Sequence, residues 1–295
     1  MFAIVQTLET TGRTVRLVAE GAFWPRILTS SGRRIDYVRE RGQDFGLNGP
    51  IGRRNNRNSM QIAAEQTDDE APNTTSPAYL QQVYWWAYVH PNAVRMFERQ
   101  WLVNAILWGN FARLRDAALD ELGPDLAGRS LQIACVYGDF SPRLVDRMEH
   151  GGELDVVDIL SIQLDNLRKK LVASAPVTLF QRNSEALGFA DASYDQAFLF
   201  FLLHEQPEAV RRQTLREALR VIKPGGKLVI VDYHQPRRLN PLRYLFRPVL
   251  RYLEPFALDL WDHPMTHWLP ETVCRERILK RTYYGGLYQK LVITV

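Results

Sequence analysis

The stretch Leu131-Gln132-Ile133-Ala134-Cys135-Val136-Tyr137-Gly138-Asp139-Phe140-Ser141-Pro142 decides the fold, because it passes from an apolar run through a loop into a helix start. Residues 131–137 read as a strand, and Ser141-Pro142 as an N-cap followed by a first-turn proline. A strand, loop and helix in that order set the positive end of the helix over the carboxyl end of the strand, where polar and anionic ligands bind.

Outward from that unit the same alternation repeats. Residues 142–149 predict a helix, 153–159 a strand, 162–171 a helix, and 177–181 and 196–203 two strands. A helix over 207–221 and a strand over 227–233 follow, with the turn Lys223-Pro224-Gly225-Gly226 before the strand. Alternating strands and helices imply an α/β protein with a parallel, doubly wound sheet. Residues 281–295 read as two strands around Gly285-Gly286, closing the sheet as a C-terminal antiparallel hairpin. Asp158 ends the second strand, twenty residues after Gly138, where a carboxylate can accept the hydroxyls of an adenosine ribose.

The remaining chain divides by composition. Residues 1–75 mix Gly, Asn, Thr, Ser and Arg without a sustained period and read as a largely disordered leader. The first 60 residues hold ten Arg, no Lys and five acidic residues, so the formal charge of +4 belongs to the leader and the remainder carries about −1. That distribution argues against nucleic acid as a partner, which would need the positive surface on the folded domain. An Arg-rich, Lys-free leader is compatible with a mitochondrial transit peptide; otherwise the expected place is the cytoplasm, peripheral to the inner membrane. Residues 76–128 form an aromatic-rich helical extension, with Tyr84, Trp85, Trp86, Tyr88, Phe97, Trp101, Trp108 and Phe111 in it, read either as core or as the wall of an apolar pocket.

Two cysteines, Cys135 and Cys274, have no metal-ligand spacing. The longest apolar run, residues 197–203, is far short of the roughly 20 residues that span a bilayer. A membrane surface is nonetheless an expected partner. In 241–253, Arg243, Arg247 and Arg251 repeat every fourth residue beside Leu242, Leu245, Phe246, Val249, Leu250 and Leu253, within an expected lid or interfacial segment at 235–270. The same helix reads equally as a lid packed on the core, kinked at Pro248.

Ser184-Glu185-Ala186-Leu187, Asp191-Ala192-Ser193-Tyr194-Asp195 and Glu217-Ala218-Leu219-Arg220-Val221-Ile222-Lys223-Pro224-Gly225-Gly226-Lys227-Leu228 resemble S-adenosylmethionine-dependent methyltransferases of the ubiquinone pathway. The likeness implies a Rossmann-like doubly wound sheet, with Gln132, Ala134, Tyr137, Gly138, Asp158, Ile159, Asn183 and Ser184 against the cofactor. The loop departs from that family. Where its members have an acidic residue and then Gly-x-Gly-x-Gly, this chain has Gln132 and keeps only Gly138. Bare glycine backbone admits the methionine half of the cofactor closely, so Val136 is expected to displace it.

A more specific resemblance, to the RquA family of rhodoquinone-biosynthesis proteins, runs from Tyr79 almost to the C-terminus. It rests on Val83-Tyr84-Trp85-Trp86-Ala87-Tyr88-Val89-His90-Pro91, Phe97-Glu98-Arg99-Gln100-Trp101-Leu102-Val103-Asn104, Val136-Tyr137-Gly138-Asp139, Leu203-His204-Glu205-Gln206-Pro207 and Leu253-Glu254-Pro255-Phe256-Ala257-Leu258-Asp259-Leu260-Trp261. It implies that a methoxy group on the ubiquinone ring is replaced by an amino group, with S-adenosylmethionine as nitrogen donor and a divalent metal, Mn2+, assisting. A donor ammonium must first lose a proton. Gln132, in place of an acid, would ease that loss, or serve only as a hydrogen-bonding replacement, while Tyr137 orients the amine or takes its proton. Asp139 is the expected metal ligand, or else a cap on the following helix, and His204 the expected acid or base. Two other functions stay open: a conventional methyltransferase acting on a quinone or phenol, and a non-catalytic scaffold of a quinone-pathway complex. The sequence leaves the oligomeric state undetermined.

Overall fold

The computed structural model describes the backbone of residues 7–10, 13–17 and 27–28, residues 77, 79 and 80, and residues 91–295 other than 124 and 149. In residues 1–57, which form a unit of their own, β1 (Thr7–Thr10) pairs antiparallel with β2 (Arg13–Leu17), and β2 with β3 (Ile27–Leu28). The rest of the expected leader lies outside the described residues, as do Tyr84, Trp85, Trp86 and Tyr88.

The second unit contains the expected sheet. Helices α1 (Pro91–Phe97), α2 (Gln100–Ile106) and α3 (Phe111–Leu119) precede β4 (Arg129–Ile133), α4 (Phe140–Val145), β5 (Glu153–Asp158) and α5 (Ser161–Lys170). Then come β6 (Val177–Gln181), β7 (Tyr194–Phe200), α6 (Glu208–Arg220), β8 (Ile222–Tyr233), α7 (Leu242–Leu253), α8 (Asp259–Asp262), β9 (Ile278–Tyr283) and β10 (Tyr288–Thr294). The seven strands lie in the order β6-β5-β4-β7-β8-β10-β9. β6, β5, β4, β7 and β8 run parallel, while β10 pairs antiparallel with β8 and β9, as the C-terminal hairpin requires.

Burial explains the apolar runs. A parallel strand covered on both faces needs apolar side chains in succession, and every residue of β5 after Glu153 and of β4 after Arg129 is buried. The register places Ile133 beside Val157 and Leu199, so β4, β5 and β7 end together, and the loops that follow them meet at one edge.

Two local expectations are corrected. Lys223-Pro224-Gly225-Gly226 does not precede the last parallel strand but lies within β8 as a bulge: the register jumps from Tyr194–Ile222 to Gln196–Lys227. The backbone of the bulge is satisfied by Val295, through Gly225 N to Val295 O at 2.7 Å and Val295 N to Gly226 O at 3.0 Å. The first helix starts at Phe140 with Asp139 at the cap position and no side-chain cap bond. Ser141 does not cap it, because its hydroxyl is drawn to the buried Gln132 side chain at 2.8 Å.

Beyond the sheet, Arg211 of α6 fixes the segments that will frame the cavity. Its fully buried guanidinium donates to the carbonyls of Leu203 (2.8 Å), Gln206 (2.8 Å) and Phe256 (3.0 Å) and lies over the Trp268 ring. Leu131 is fully buried at the centre of the sheet, whereas Leu279, on the edge strand β9, is 68% exposed. Leu131→Ala should therefore cost about 2–5 kcal/mol in urea unfolding. Leu279→Ala should stay within about 0.5 kcal/mol of the parent.

Candidate active site

Above the ends of β4, β5 and β7 lies a cavity lined by Ala134–Tyr137 of the first loop, Asp158–Leu160, Asn183 and Ser184, and by His204–Gln206 after β7. Val103, Ile106 and Leu107 close it from the α2 side, and Tyr233 and Glu254 from the far side.

The loop keeps the path of a glycine loop without its glycines. Ala134 has φ +73° and Gly138 φ +82°, both in the left-handed region, which costs a non-glycine residue about 1–2 kcal/mol. Hydrogen bonds to the loop backbone offset that cost. Cys135 N donates to Asp158 Oδ2 at 2.8 Å, and Gly138 N to Glu98 Oε1 at 3.2 Å. Lys170 Nζ donates to the carbonyls of Val136 (3.1 Å) and Gly138 (2.9 Å) and pairs with Glu98 at 2.9 Å. A Cβ on residue 138 would meet the Phe111 ring at 2.9 Å, so glycine is required there.

Asp158 is buried, with its other oxygen accepting from Leu160 N at 2.8 Å. Burial pushes its carboxyl up to about 6, against the backbone donors of Leu160 and Cys135 that favour the charged form. Each of its oxygens keeps acceptor capacity toward the cavity. Ile159 lines the same end, and Asn183 and Ser184 are held there by Glu185 and Thr214, with Asn183 Nδ2 to Glu185 Oε2 at 3.1 Å and Ser184 Oγ to Thr214 Oγ1 at 2.8 Å. These groups fit an adenosine: a carboxylate for the ribose, apolar and amide groups for the base.

Three expected site residues lie behind the cavity wall. Gln132 is fully buried, donates from its amide to Ala134 O (2.9 Å) and accepts from Ser141 Oγ (2.8 Å), and does not line the cavity. Gly138 supports the loop from behind. Asp139 receives Arg115 Nη1 on both oxygens, at 2.6 and 2.7 Å, and Arg143 at 3.3 Å. Burial acts to raise its pKa, but the two guanidiniums outweigh that and hold the carboxyl below its usual range. A divalent cation does not fit there: the oxygens are occupied, and no group of three or more His, Cys, Asp or Glu side chains able to hold a metal occurs among the described residues.

Tyr137 does line the cavity. Its hydroxyl accepts from Gln163 at 2.8 Å and its ring stacks on Phe97 at 5.9 Å. Burial pushes the phenol up, with Glu205, Glu98 and Asp158 adding to the effect, so the hydroxyl is neutral at neutral pH. The Cys135 thiol is likewise pushed up by burial and stays protonated.

His204 is buried and lines the same cavity, and Gln206, two residues on, donates to Ser184 Oγ at 3.1 Å. The His204 Nδ1 lies 2.9 Å from Asp232 Oδ1, and its Nε2 lies 3.6 Å from Glu205 and 3.7 Å from Glu254. Burial alone would lower its pKa; Asp232, then Glu254 and Glu205, outweigh burial and bring it up to about 9. Asp232 in turn accepts the backbone N–H of Leu203 (2.9 Å) and of His204 (3.3 Å). The chain turns toward it at Phe201, a second non-glycine residue with positive φ (+55°) on the cavity wall. His234, by contrast, bonds Gly286 O at 2.8 Å, outside the cavity.

Glu98, Lys170, Asp232 and Glu254 escaped the sequence reading as functional groups. Asp232 had a visible signal, a lone acid in the apolar strand run Leu228-Val229-Ile230-Val231-Asp232. Glu98 and Glu254 lay inside motifs already quoted, but nothing local marked what they touch.

Residues 95–262 match the ubiE/COQ5 methyltransferase family. The chain is similar to the ubiquinone/menaquinone biosynthesis C-methyltransferase UbiE of Syntrophotalea carbinolica, 31% identical over 182 residues, which cover 61% of this chain and 75% of that one. It is also similar to the demethylmenaquinone methyltransferase of Bacillus licheniformis, 25% identical over 160 residues, 54% of this chain and 68% of that one. Among solved structures, an O-methyltransferase family protein from Burkholderia thailandensis shares the fold, with TM-score 0.51 and 18% identity over 70% of this chain and 62% of that one. The match over more than half of the chain places this protein in the ubiE/COQ5 methyltransferase family.

Proposed function

We propose that this chain transfers a group from S-adenosylmethionine to the ring of a quinone-pathway compound held in the cavity, and that methyl transfer, the activity named for its relatives, is the reading best supported. The observation that carries the reading is one cavity lined by Asp158, Asn183 and Ser184, by the apolar groups of β4, β7 and α2, and by the histidine His204. When bound, the cofactor supplies an activated methyl group on a sulfonium. The chain's own residues bind and orient. Val103, Leu107, Phe200 and Phe201 shield the ring from water, Tyr137 presents a neutral hydroxyl, and His204 donates from Nε2 to a ring oxygen while Asp232 keeps the imidazolium charged.

A second reading is favoured by the loop alone. Val136 and Tyr137 carry side chains into the cavity where a Gly-x-Gly-x-Gly loop would leave bare backbone, which displaces the methionine end of the cofactor. Such displacement, with the resemblance to the rhodoquinone-forming family, supports replacement of a ring methoxy of ubiquinone by an amino group. The placement of Gln132 and Asp139 removes two of the supports that reading began with.

Mass spectrometry of the products separates them. Incubation of the full chain with S-adenosylmethionine and a demethylated quinol should give a product one methylene heavier that carries a labelled cofactor methyl. Incubation with ubiquinone, on the second reading, should give a product that has lost a methoxy and gained labelled cofactor nitrogen. Neither product forming would contradict both readings.

The role of His204 predicts a pH dependence. Turnover should hold below its pKa and fall as pH rises through about 9, and His204→Gln should abolish that limb. The folded-state value lies above the ordinary 6.5, so the stability His204 draws from Asp232, Glu254 and Glu205 is complete below pH 6.5 and lost as pH rises through about 9. Urea unfolding of parent and variant across that range checks the sign.

A further inference from the structure

Helix α7 splits its apolar residues between two faces. Phe246 and Leu250 are buried, and Phe246 meets Trp108 with ring centroids 5.6 Å apart. Leu245, Val249 and Leu253 point outward instead, with Tyr244 71% and Tyr252 82% exposed. Arg243, Arg247 and Arg251, each one turn from the next, line a surface groove together with Tyr244 and Pro248. Two of these arginines have partners that leave donors over: Arg243 bonds Pro236 O at 2.9 Å, and Arg247 lies 3.7 Å from Asp262.

This surface adjoins the cavity. Ile106 of α2 both lines the cavity and is exposed, Trp101 on the same helix is 65% exposed, and Glu254, the residue that ends α7, lines the cavity from the other side. A helix with aromatic and aliphatic side chains outward beside a row of arginines has the make-up of one that lies in a bilayer interface. The apolar groups enter the acyl boundary, tyrosines sit at headgroup level, and guanidiniums grip phosphate oxygens.

We propose that α7, with Trp101 and Ile106 of α2, docks this protein on a bilayer containing anionic phospholipid, with headgroup phosphates in the Arg243–Arg247–Arg251 groove and the cavity mouth at Ile106 turned to the membrane. The docking stands on this surface alone; that the cavity fills from the bilayer rests on the quinone reading above. No helix among the described residues is long and apolar enough to cross a membrane, so contact is at the surface of the bilayer.

Co-sedimentation of the full chain with vesicles of phosphatidylcholine, with and without phosphatidylglycerol, tests the proposal. The parent should bind the mixed vesicles, and the combined Arg243→Glu, Arg247→Glu and Arg251→Glu variant should bind them on the order of 100-fold more weakly. The ten arginines of residues 1–60 are common to both chains, so the difference belongs to α7. Tyr252→Ser with Leu245→Ser, which leaves every arginine in place, should weaken binding about tenfold. Melting temperature and S-adenosylmethionine binding report the folding of each variant. Equal sedimentation of the parent and both variants, or a parent that stays in the supernatant with both vesicles, overturns the docking. Turnover of a short-tailed, water-soluble quinone, unchanged in the arginine variant, separates this outcome from failure of the proposed activity.

Discussion

The carboxylate of Asp158 accepts the backbone N–H of Cys135 and of Leu160, both at 2.8 Å, and so ties the loop leaving β4 to the first turn of α5. The site depends on that tie. Ala134 sits in a backbone conformation its side chain disfavours, and only a loop fixed at several points holds it there. Asp158 fixes one point from below; Glu98 and Lys170 fix two others from above, through Gly138 N and the carbonyls of Val136 and Gly138. The helical segment before the sheet, which supplies Glu98 and the Phe97 ring stacked on Tyr137, therefore helps to hold the loop and does not only cover it.

The part of the cavity after β7 is built on a comparable device. Asp232 is fully buried, and three donors meet its side chain: the backbone N–H groups of Leu203, His204 and Tyr233. Beside it the imidazole of His204 is held protonated, with Glu254 and Glu205 adding to the field of Asp232 that raises its pKa. Glu254 links this electrostatic cluster to α7, so the helix with the exposed arginines and the base of the cavity share one residue boundary.

The sheet was legible in the sequence because parallel strands buried on both faces leave unbroken apolar runs, and β6 falls on residues 177–181 as read. The Lys223–Gly226 segment misled because two glycines after a proline signal a turn, whereas the pairing with β7 and the C-terminal residue absorbs them as a bulge. Asp158 stood out by its place at a strand end, the likeness to the methyltransferases pointed to Tyr137, Asn183 and Ser184, and that to the RquA family to His204; all of them line the cavity. Gln132 and Asp139 misled for a physical reason: adjacency to the loop in sequence does not say which side of the wall a side chain takes, and both turn to internal partners, Ser141 and Arg115. Glu98, Lys170 and Asp232 act through contacts 40, 32 and 28 residues away, which no local pattern carries.

The central claim is that Asp158 receives the ribose of S-adenosylmethionine. Calorimetric titration of the parent chain and of Asp158→Ala, each with S-adenosylhomocysteine and with its deoxyribose analogue, tests it most directly. The account predicts that the parent prefers the ribose form by about tenfold or more and that the variant, still folded, loses the preference. The same preference in both chains would contradict it.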